Sequence, residues 1–486
     1  MKTKILQRAL PILTLPITVV LLLMQLNTQA QASLGNVRGV ATYSGNLSDG
    51  ATYLIEVPRN WNGTLLLYTQ GYTVTPVPAV DTAGGAGIPG DPLQRFYLLT
   101  HGYALAGSSA SIGWRVHEAF SEQIEVLDTF GRLIGQPSRT IAWGHSLGGL
   151  ISAGLIQRYP ERFSGALLMC GVVGGSVGIW NQFLDGAFAF KTLLAPGSAL
   201  QLVNITDPDT NIGIAQQVLT DAQATAEGRA RIALVAALID LSGWIDPFSP
   251  EPGSTDYVTQ EANQFLEFQQ GADFFAFFPI RAELEARAGG NPSFNTDVDY
   301  REQLSLSIDH AEVQALYEQA GLNLDADLDT LNNASRIAAD PVALDYLSQN
   351  IIFNGQIQVP VLTLHSTDDD FVSVENEQAY ADVVARAGNS SLLRQLFVHR
   401  GGHCSITEAE IIAALQALIQ RLDTGTWQNL DPEDLNTAAN RLGAKYNVLV
   451  FCPCEFPPPP GVPTAPAFVD YVPAPFLRPY DAFTHQ

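Results

Sequence analysis

The residues with the clearest chemical potential stand in Gly144-His145-Ser146-Leu147-Gly148. A serine hydroxyl is a weak nucleophile at neutral pH. It needs a base within hydrogen-bond reach and an acid that orients the base. Gly-x-Ser-x-Gly carries meaning only between a strand and a helix. Both flanks are present: residues 139–143 read Arg-Thr-Ile-Ala-Trp, and residues 147–159 read "LGGLISAGLIQRY", a helical pattern. The small neighbours let the chain turn sharply and present the serine oxygen at a helix N-terminus. The bland alternative is a β–α turn that is merely rich in small residues. A base and an acid in the right order decide between the two.

Where a serine acts from such a turn, an acid and then a histidine follow it, each after a strand. Residues 359–372, "VPVLTLHSTDDDFV", are an apolar strand running into Asp368, Asp369 and Asp370. Residues 394–410, "RQLFVHRGGHCSITEAE", are a strand running into Gly401-Gly402-His403. The order is the required one. Among the other histidines, His101 and His117 precede Ser146, His145 is inside the turn, His310 is in a helical stretch and His485 is in the terminal tail. His365 and His399 fall within predicted strands and read as packed or surface residues. His403 follows two glycines that let a loop bring it back over the sheet, so it is assigned as the general base. Successive aspartates point in different directions, so only one of the three meets the imidazole. The residues alone leave that choice open.

These side chains need a scaffold. Apolar runs bounded by turn signals predict strands over 52–58, 63–71, 103–109, 139–146 and 163–171, the first of them an edge strand ending at Pro58. Helical patterns lie between them at 117–135 and 147–159. Strands alternating with helices indicate parallel β–α units, with ligands at the carboxyl ends of the strands. Residues 176–354 hold few strand-like runs and several of helical spacing. The β–α rhythm then returns with a strand at 360–369, a helix near 375–387, a strand at 393–403 and a helix over 407–422. The expected division is therefore a core at 33–175 and 355–422, a helical insertion at 176–354, and a C-terminal extension at 423–486. In that extension "PPPPGVPTAPAF" (457–468) forms neither helix nor ladder. The aromatics after it favour an extended strap on the core over a free end.

Composition narrows the function class. Lys2, Lys4 and Arg8 precede an apolar run from Ala9 to Leu26, and Ala30-Gln31-Ala32 offers a small-x-small cleavage site. Residues 1–32 read as a cleaved secretory signal, which implies a secreted or periplasmic protein without a stable membrane anchor. The rest of the chain carries 22 basic and 49 acidic residues, a net of −27. That charge repels nucleic acid and anionic membranes. The four cysteines, Cys170, Cys404, Cys452 and Cys454, allow up to two disulfides in an oxidising compartment. Cys452-Pro453-Cys454 alone is a poor metal site, and no metal or cofactor is expected.

Together these residues resemble the α/β-hydrolase superfamily, in its lid-bearing serine esterase and lipase branch, over about residues 33–175 and 355–422. The family strand before the acid often reads His-Gly-Thr-x-Asp-x-x-Val. Here His365-Ser366-Thr367-Asp368-Asp369-Asp370-Phe371-Val372 aligns with it, Ser366 replacing the glycine. The resemblance puts the acid at Asp369 and leaves Asp368 and Asp370 as solvated or helix-capping neighbours. It implies a mostly parallel sheet flanked by helices, a large helical lid inserted after the sixth strand, and the Pro-rich C-terminal strap. It also implies an oxyanion hole from the backbone N–H groups of Tyr72 and Leu147, although Gln70 stands where the family often has histidine. Residues 80–92 are a candidate rim loop. In the lid, Trp180, Phe183, Phe188, Phe274, Phe275, Phe277 and Phe278 could line an acyl or aryl pocket, but spaced aromatics on helices read first as the lid's own core. A disulfide at Cys404 could pin the histidine loop, with Cys170 or a tail cysteine as partner; Cys170, near the end of the sixth strand, is the more reasonable mate. The implied function is a secreted serine hydrolase that cleaves a small-molecule or lipid-like carboxylic ester through an acyl-enzyme, with Ser146 as nucleophile, His403 as base and Asp369 as orienting acid. A peptidase or amidase on small peptides and an acyltransferase are the alternatives on the same residues. The intact Ser-Asp-His order argues against a non-catalytic protein on this scaffold.

Overall fold

The computed structural model describes residues 37–73, 92–109, 113–449 and 461–484. The signal read at 1–32, nearly all of the 80–92 loop, Cys452, Cys454, His485 and the first residues of the proline run lie outside the described residues.

Short apolar runs give a nine-stranded sheet. The strands are β1 (Val40–Asn46), β2 (Thr52–Pro58), β3 (Thr64–Thr69), β4 (Ala104–Ser108), β5 (Arg139–His145), β6 (Gly165–Met169), β7 (Val361–Asp368) and β8 (Leu393–Gly401). The segments Val448–Leu449 (β9), Val462–Pro463 (β10) and Phe468–Val469 (β11) follow. The sheet order is β1-β2-β4-β3-β5-β6-β7-β8-β11. From β4 to β8 every neighbouring pair is parallel, and β1, β2 and β11 join antiparallel. The central strands β3, β4 and β6 are buried along their whole length, as parallel strands covered on both faces must be. Their side chains alternate between two cores. Leu65, Leu67, Ala166 and Leu168 face one side; Leu66, Leu167 and Met169 face the other.

Helices α1 (Pro92–Thr100), α2 (Val116–Leu133) and α3 (Leu147–Arg158) connect the early strands. Further helices occupy the chain between β6 and β7, from α4 (Ser176–Leu193) through α5 (Pro208–Gln223), α6 (Ala226–Ala237), α7 (Tyr257–Gln270), α8 (Arg281–Ala288), α9 (Tyr300–Leu306), α10 (His310–Ala320) and α11 (Leu324–Asn333) to α12 (Pro341–Asn350). An irregular turn, Ala276–Ile280 with Pro279 inside it, precedes α8. The inserted helices share one continuous core with one face of the sheet. Phe274, Phe277 and Phe278 are buried in it, as the core reading expects, whereas Phe275 is exposed. Helices α13 (Glu375–Arg386), α14 (Glu408–Thr424) and α15 (Pro432–Arg441) complete the chain. No described helix is long and apolar enough to cross a membrane.

One strand differs from its expected place. Residues 52–58 do end at Pro58, but β1 pairs outside them, so β2 is an inner strand. β1 is mostly exposed and carries no apolar run, which leaves little sequence signal for it. At the opposite side, β11 adds to β8, with Phe468 opposite Val398. Further along, Phe476 and Leu477 are buried, and Arg478 donates to buried Asp185 at 2.6 Å.

Candidate active site

The site lies at the carboxyl ends of β5, β7 and β8. β5 stops at His145 and α3 starts at Leu147, leaving Ser146 alone at the corner with φ 54 and ψ −123. That left-handed conformation is costly for a residue with a side chain, and costs of this kind concentrate at functional sites. The Ser146 N–H is held by the Met169 carbonyl at 2.9 Å, which extends the β5–β6 ladder to the corner. The glycines of the motif have a packing reason. A Cβ at Gly144 would lie 2.5 Å from the Thr69 carbonyl oxygen, and one at Gly148 would lie 2.8 Å from that of Gln70.

Asp369 is delivered by a register shift between β7 and β8 at Ser366 and Asp368, which turns the chain just before the acid. Its carboxylate is buried. Oδ1 accepts from the N–H of Phe371 at 3.1 Å and of Val372 at 2.8 Å, and Oδ2 accepts from the N–H of Cys404 at 3.2 Å. His403 arrives on the loop after β8. Gly402 needs its left-handed φ of 94, where a Cβ would also meet Ser405 Oγ at 2.7 Å. The base of that loop is fixed by Arg400, whose guanidinium donates twice to buried Glu410 at 2.6 and 2.9 Å. Glu410 also forms a capping box with Thr407 at the start of α14. The loop is tied at its tip by a disulfide, Cys170–Cys404, across a sequence separation of 234 residues.

These elements bring three of the predicted residues together. His403 Nε2 lies 3.0 Å from Ser146 Oγ, and its Nδ1 lies 2.9 Å from both carboxylate oxygens of Asp369. Ser146 and His403 are partly exposed, while Asp369 is buried. Burial alone would push the Asp369 carboxyl up; His403 and His365 outweigh it and hold the group below the ordinary carboxylate range. The charged acceptor therefore persists at all physiological pH values. Leu147 occupies the first position of α3, where an N–H has no acceptor within the helix. Gly71 packs beside Ser146, where a Cβ would lie 3.4 Å from Ser146 Cβ, and half-buried Tyr72 is the next residue in the chain. Burial first, and then Glu283, pushes the Tyr72 phenol up, so Tyr72 also borders the inserted helices.

The neighbouring aspartates are not the solvated or capping residues expected. Asp368 accepts from Thr367 Oγ1 at 2.7 Å and from Ser242 Oγ at 3.1 Å, and so faces the insertion. Asp370 is pushed well up, first by burial and then by Glu267, Asp369 and Asp273. Neither caps α13, whose N-cap is Val374. The reason is crowding: the inserted helices cover this loop, which the local sequence cannot reveal.

His365 is the residue that sequence reasoning undervalues. It is buried beneath Asp369, with Nε2 3.4 Å from Asp369 Oδ2 and Nδ1 3.1 Å from Glu377 Oε1. The available signal is its place four residues before the acid in the His-x-x-x-Asp pattern. His399, by contrast, is exposed and meets Glu251 at 3.0 Å. His145 is half-buried with Nδ1 3.2 Å from the Tyr68 hydroxyl; loss of solvent, then His403, lowers it to about 4 and keeps it neutral. An aromatic wall runs from His403 into the insertion. Phe371 meets the His403 ring edge-on at 5.6 Å and stacks on Phe183, which touches Trp180 and through it Trp114.

No protein-family model matches the chain. Over 431 residues it is 32% identical to an o-phthalyl amidase from Xanthobacter agilis, a span of 81% of this chain and 90% of that protein. Similar solved structures include an esterase from Aspergillus oryzae, with 15% identity, 82% of this chain and 89% of that chain covered, and a TM-score of 0.38. Feruloyl esterase B from the same organism has 13% identity, coverage of 80% and 81%, and a TM-score of 0.37. A rice cell wall degrading esterase from Xanthomonas oryzae has 16% identity, coverage of 82% and 93%, and a TM-score of 0.36.

Proposed function

The chain belongs to the α/β-hydrolase superfamily, in the family of the o-phthalyl amidase, and from that premise we propose that it is a serine hydrolase working through an acyl-enzyme at Ser146. The observation that carries this reading is the continuous contact from Ser146 Oγ through both His403 nitrogens to Asp369, with distances of 3.0 and 2.9 Å. His403 Nε2 takes the Ser146 proton as Oγ attacks the carbonyl carbon. The oxyanion is held by the N–H groups of Tyr72 and Leu147. The C–N or C–O bond then breaks, and His403 returns the proton to the leaving amine or alkoxide. Water repeats the sequence: His403 takes its proton, hydroxide attacks the acyl carbon, and Ser146 leaves reprotonated. Asp369 stays ionised throughout and stabilises the imidazolium.

The bond we assign first is an amide of an aromatic acid, of the o-phthalyl class, because the relative is named for that chemistry. The Phe371–Phe183 wall beside His403 suits a flat acyl group. The carboxylic ester implied by the resemblance to serine esterases and lipases is the second reading, since an acyl-enzyme site accepts either leaving group. The disulfide accords with export by the signal read at residues 1–32, as oxidising compartments are where such bonds persist.

The test has two arms. A fluorophosphonate should label the wild-type chain and not Ser146→Ala; equal labelling of both overturns the nucleophile. A panel of phthalyl amides, aminoacyl anilides and p-nitrophenyl esters of several chain lengths then reads the bond. Turnover of esters alone would reject the amidase reading.

A further inference from the structure

The Asp369 carboxylate is gripped on both sides by imidazoles. His403 is the one the chemistry uses; His365 lies behind and is wholly buried. We propose that His365 is a permanently protonated positioning residue, an imidazolium that locks Asp369 against His403 and ties it to Glu377. This rests on the hydrolase reading of Ser146, Asp369 and His403.

The protonation state follows from the partners. His365 Nδ1 faces Glu377 Oε1 at 3.1 Å. Its Nε2 faces the Val372 carbonyl oxygen at 2.9 Å and Asp369 Oδ2 at 3.4 Å. All of these are acceptors. A neutral ring carries one N–H, so one bare nitrogen would point its lone pair at a buried oxygen. A ring with two N–H groups satisfies every partner. Burial alone would discharge the ring, but the hydrogen bonds and charges of Asp369 and Glu377 outweigh it and raise the group to about 10.

Glu377 is itself fixed. It is wholly buried on α13, where Oε2 accepts from Thr363 Oγ1 and from Gln395 Nε2, each at 2.6 Å. Thr363 is on β7 and Gln395 on β8. The chain Glu377–His365–Asp369–His403–Ser146 therefore links α13 and the two strands to the nucleophile. Its charges alternate in sign once His403 accepts a proton. The other groups around it are Glu375, which burial pushes up to about 7 against the opposing charge of His365, and Glu267, Asp370 and His145, which face His403. Beside His403, His365 is the second cation acting on Asp369. Its task is to keep the proton off Asp369 and to hold the carboxylate where both oxygens reach Nδ1 of His403.

A purely structural histidine would not change the pH at which the enzyme turns on. His365→Gln should lower kcat roughly tenfold to a hundredfold with KM little changed, because it loosens a reacting geometry without touching substrate. It also strands Glu377 as a buried unpaired charge, so His365→Gln/Glu377→Gln serves as the companion that removes both charges. The imidazolium is nearer to His403 than Glu377 is. Its loss should therefore move the acid limb of kcat/KM to higher pH by about half a unit or more in both variants. Nitrogen NMR of the histidine-labelled wild-type chain should show both His365 ring nitrogens protonated from about pH 5 to 8, the signals being identified by their loss in His365→Gln. A neutral His365 ring at neutral pH, or an acid limb of the double variant that coincides with wild type, overturns the inference. If Ser146→Ala instead keeps its fluorophosphonate labelling, the hydrolase reading fails while the NMR result stands.

Discussion

Asp369 and Asp309 are both acids packed around the loop that follows β7, yet they are held in opposite charge states. For Asp369, burial favours the neutral form but two histidines and three backbone N–H groups reverse it. For Asp309, burial is followed by Glu375 and Asp368, all acting in the same direction, and the group is raised to about 8. Asp240, on the segment after α6, joins this second group, raised first by burial and then by Glu375 and Asp309. The two neighbourhoods differ in their donors, and Asp309 is also the less deeply buried of the two acids. Burial alone makes a carboxyl neutral and inert; burial with aimed cations makes it a charged orienting group.

Neutralising one acid in each region separates their roles. Asp369→Asn keeps the shape but presents an amide to His403 and allows the wrong tautomer. It should lower kcat/KM by roughly a thousandfold to ten-thousandfold. Asp368→Asn and Asp309→Asn should change kcat/KM by only a few fold, since neither touches His403. Steady-state rates on one responsive amide or ester decide it. If Asp368→Asn proves the more damaging, the orienting acid is misassigned.

A second expected effect concerns the tie between the regions. The Cys170–Cys404 disulfide spans 234 residues, including every inserted helix, and both cysteines sit at positive φ, 41 and 55. Replacing the pair with serine should cost about 2–4 kcal/mol of stability through the longer unfolded loop. Because Cys404 follows His403 and its N–H bonds Asp369, activity should fall as well. Denaturant melts and rates of Cys170→Ser/Cys404→Ser against wild type check both. An unchanged midpoint would mean that the insertion already holds the histidine loop without the covalent link.

Much of the site is legible in the sequence because its chemistry is written locally. The turn around Ser146, the strand ending in three aspartates and the Gly-Gly-His loop each occupy a few consecutive residues, and their order constrains the reading. What is not legible depends on contacts made by folding. β1 carries no apolar run, so nothing marks it as the partner of β2. β11 is two residues long and exists because β8 offers an open edge. His365 looks like any strand histidine until Glu377, in the first turn of the following helix, meets its ring. The fates of Asp368 and Asp370 are set by Ser242 and Glu267, far earlier in the chain.

The two acids also give stability opposite dependences on pH. An Asp carboxyl in the unfolded chain titrates near about 4, whereas folded Asp309 is raised to about 8. Between those values the folded state holds a proton that the unfolded state has lost. The stability this group contributes is therefore complete below about pH 4 and declines as pH rises through about 8. Asp369 has the opposite sign: its contribution is complete above the unfolded carboxyl range and lost only as the solution becomes strongly acidic. Asp309→Asn removes the first dependence while leaving the second. It should leave Tm nearly unchanged at about pH 5 and raise it by on the order of 2 °C at about pH 8.5, the difference growing across the interval. Melting curves of wild type and Asp309→Asn at several pH values would show it. Parallel curves would mean that Asp309 is ionised in the folded protein, and that a compensating cation reaches the second neighbourhood as His365 and His403 reach the first.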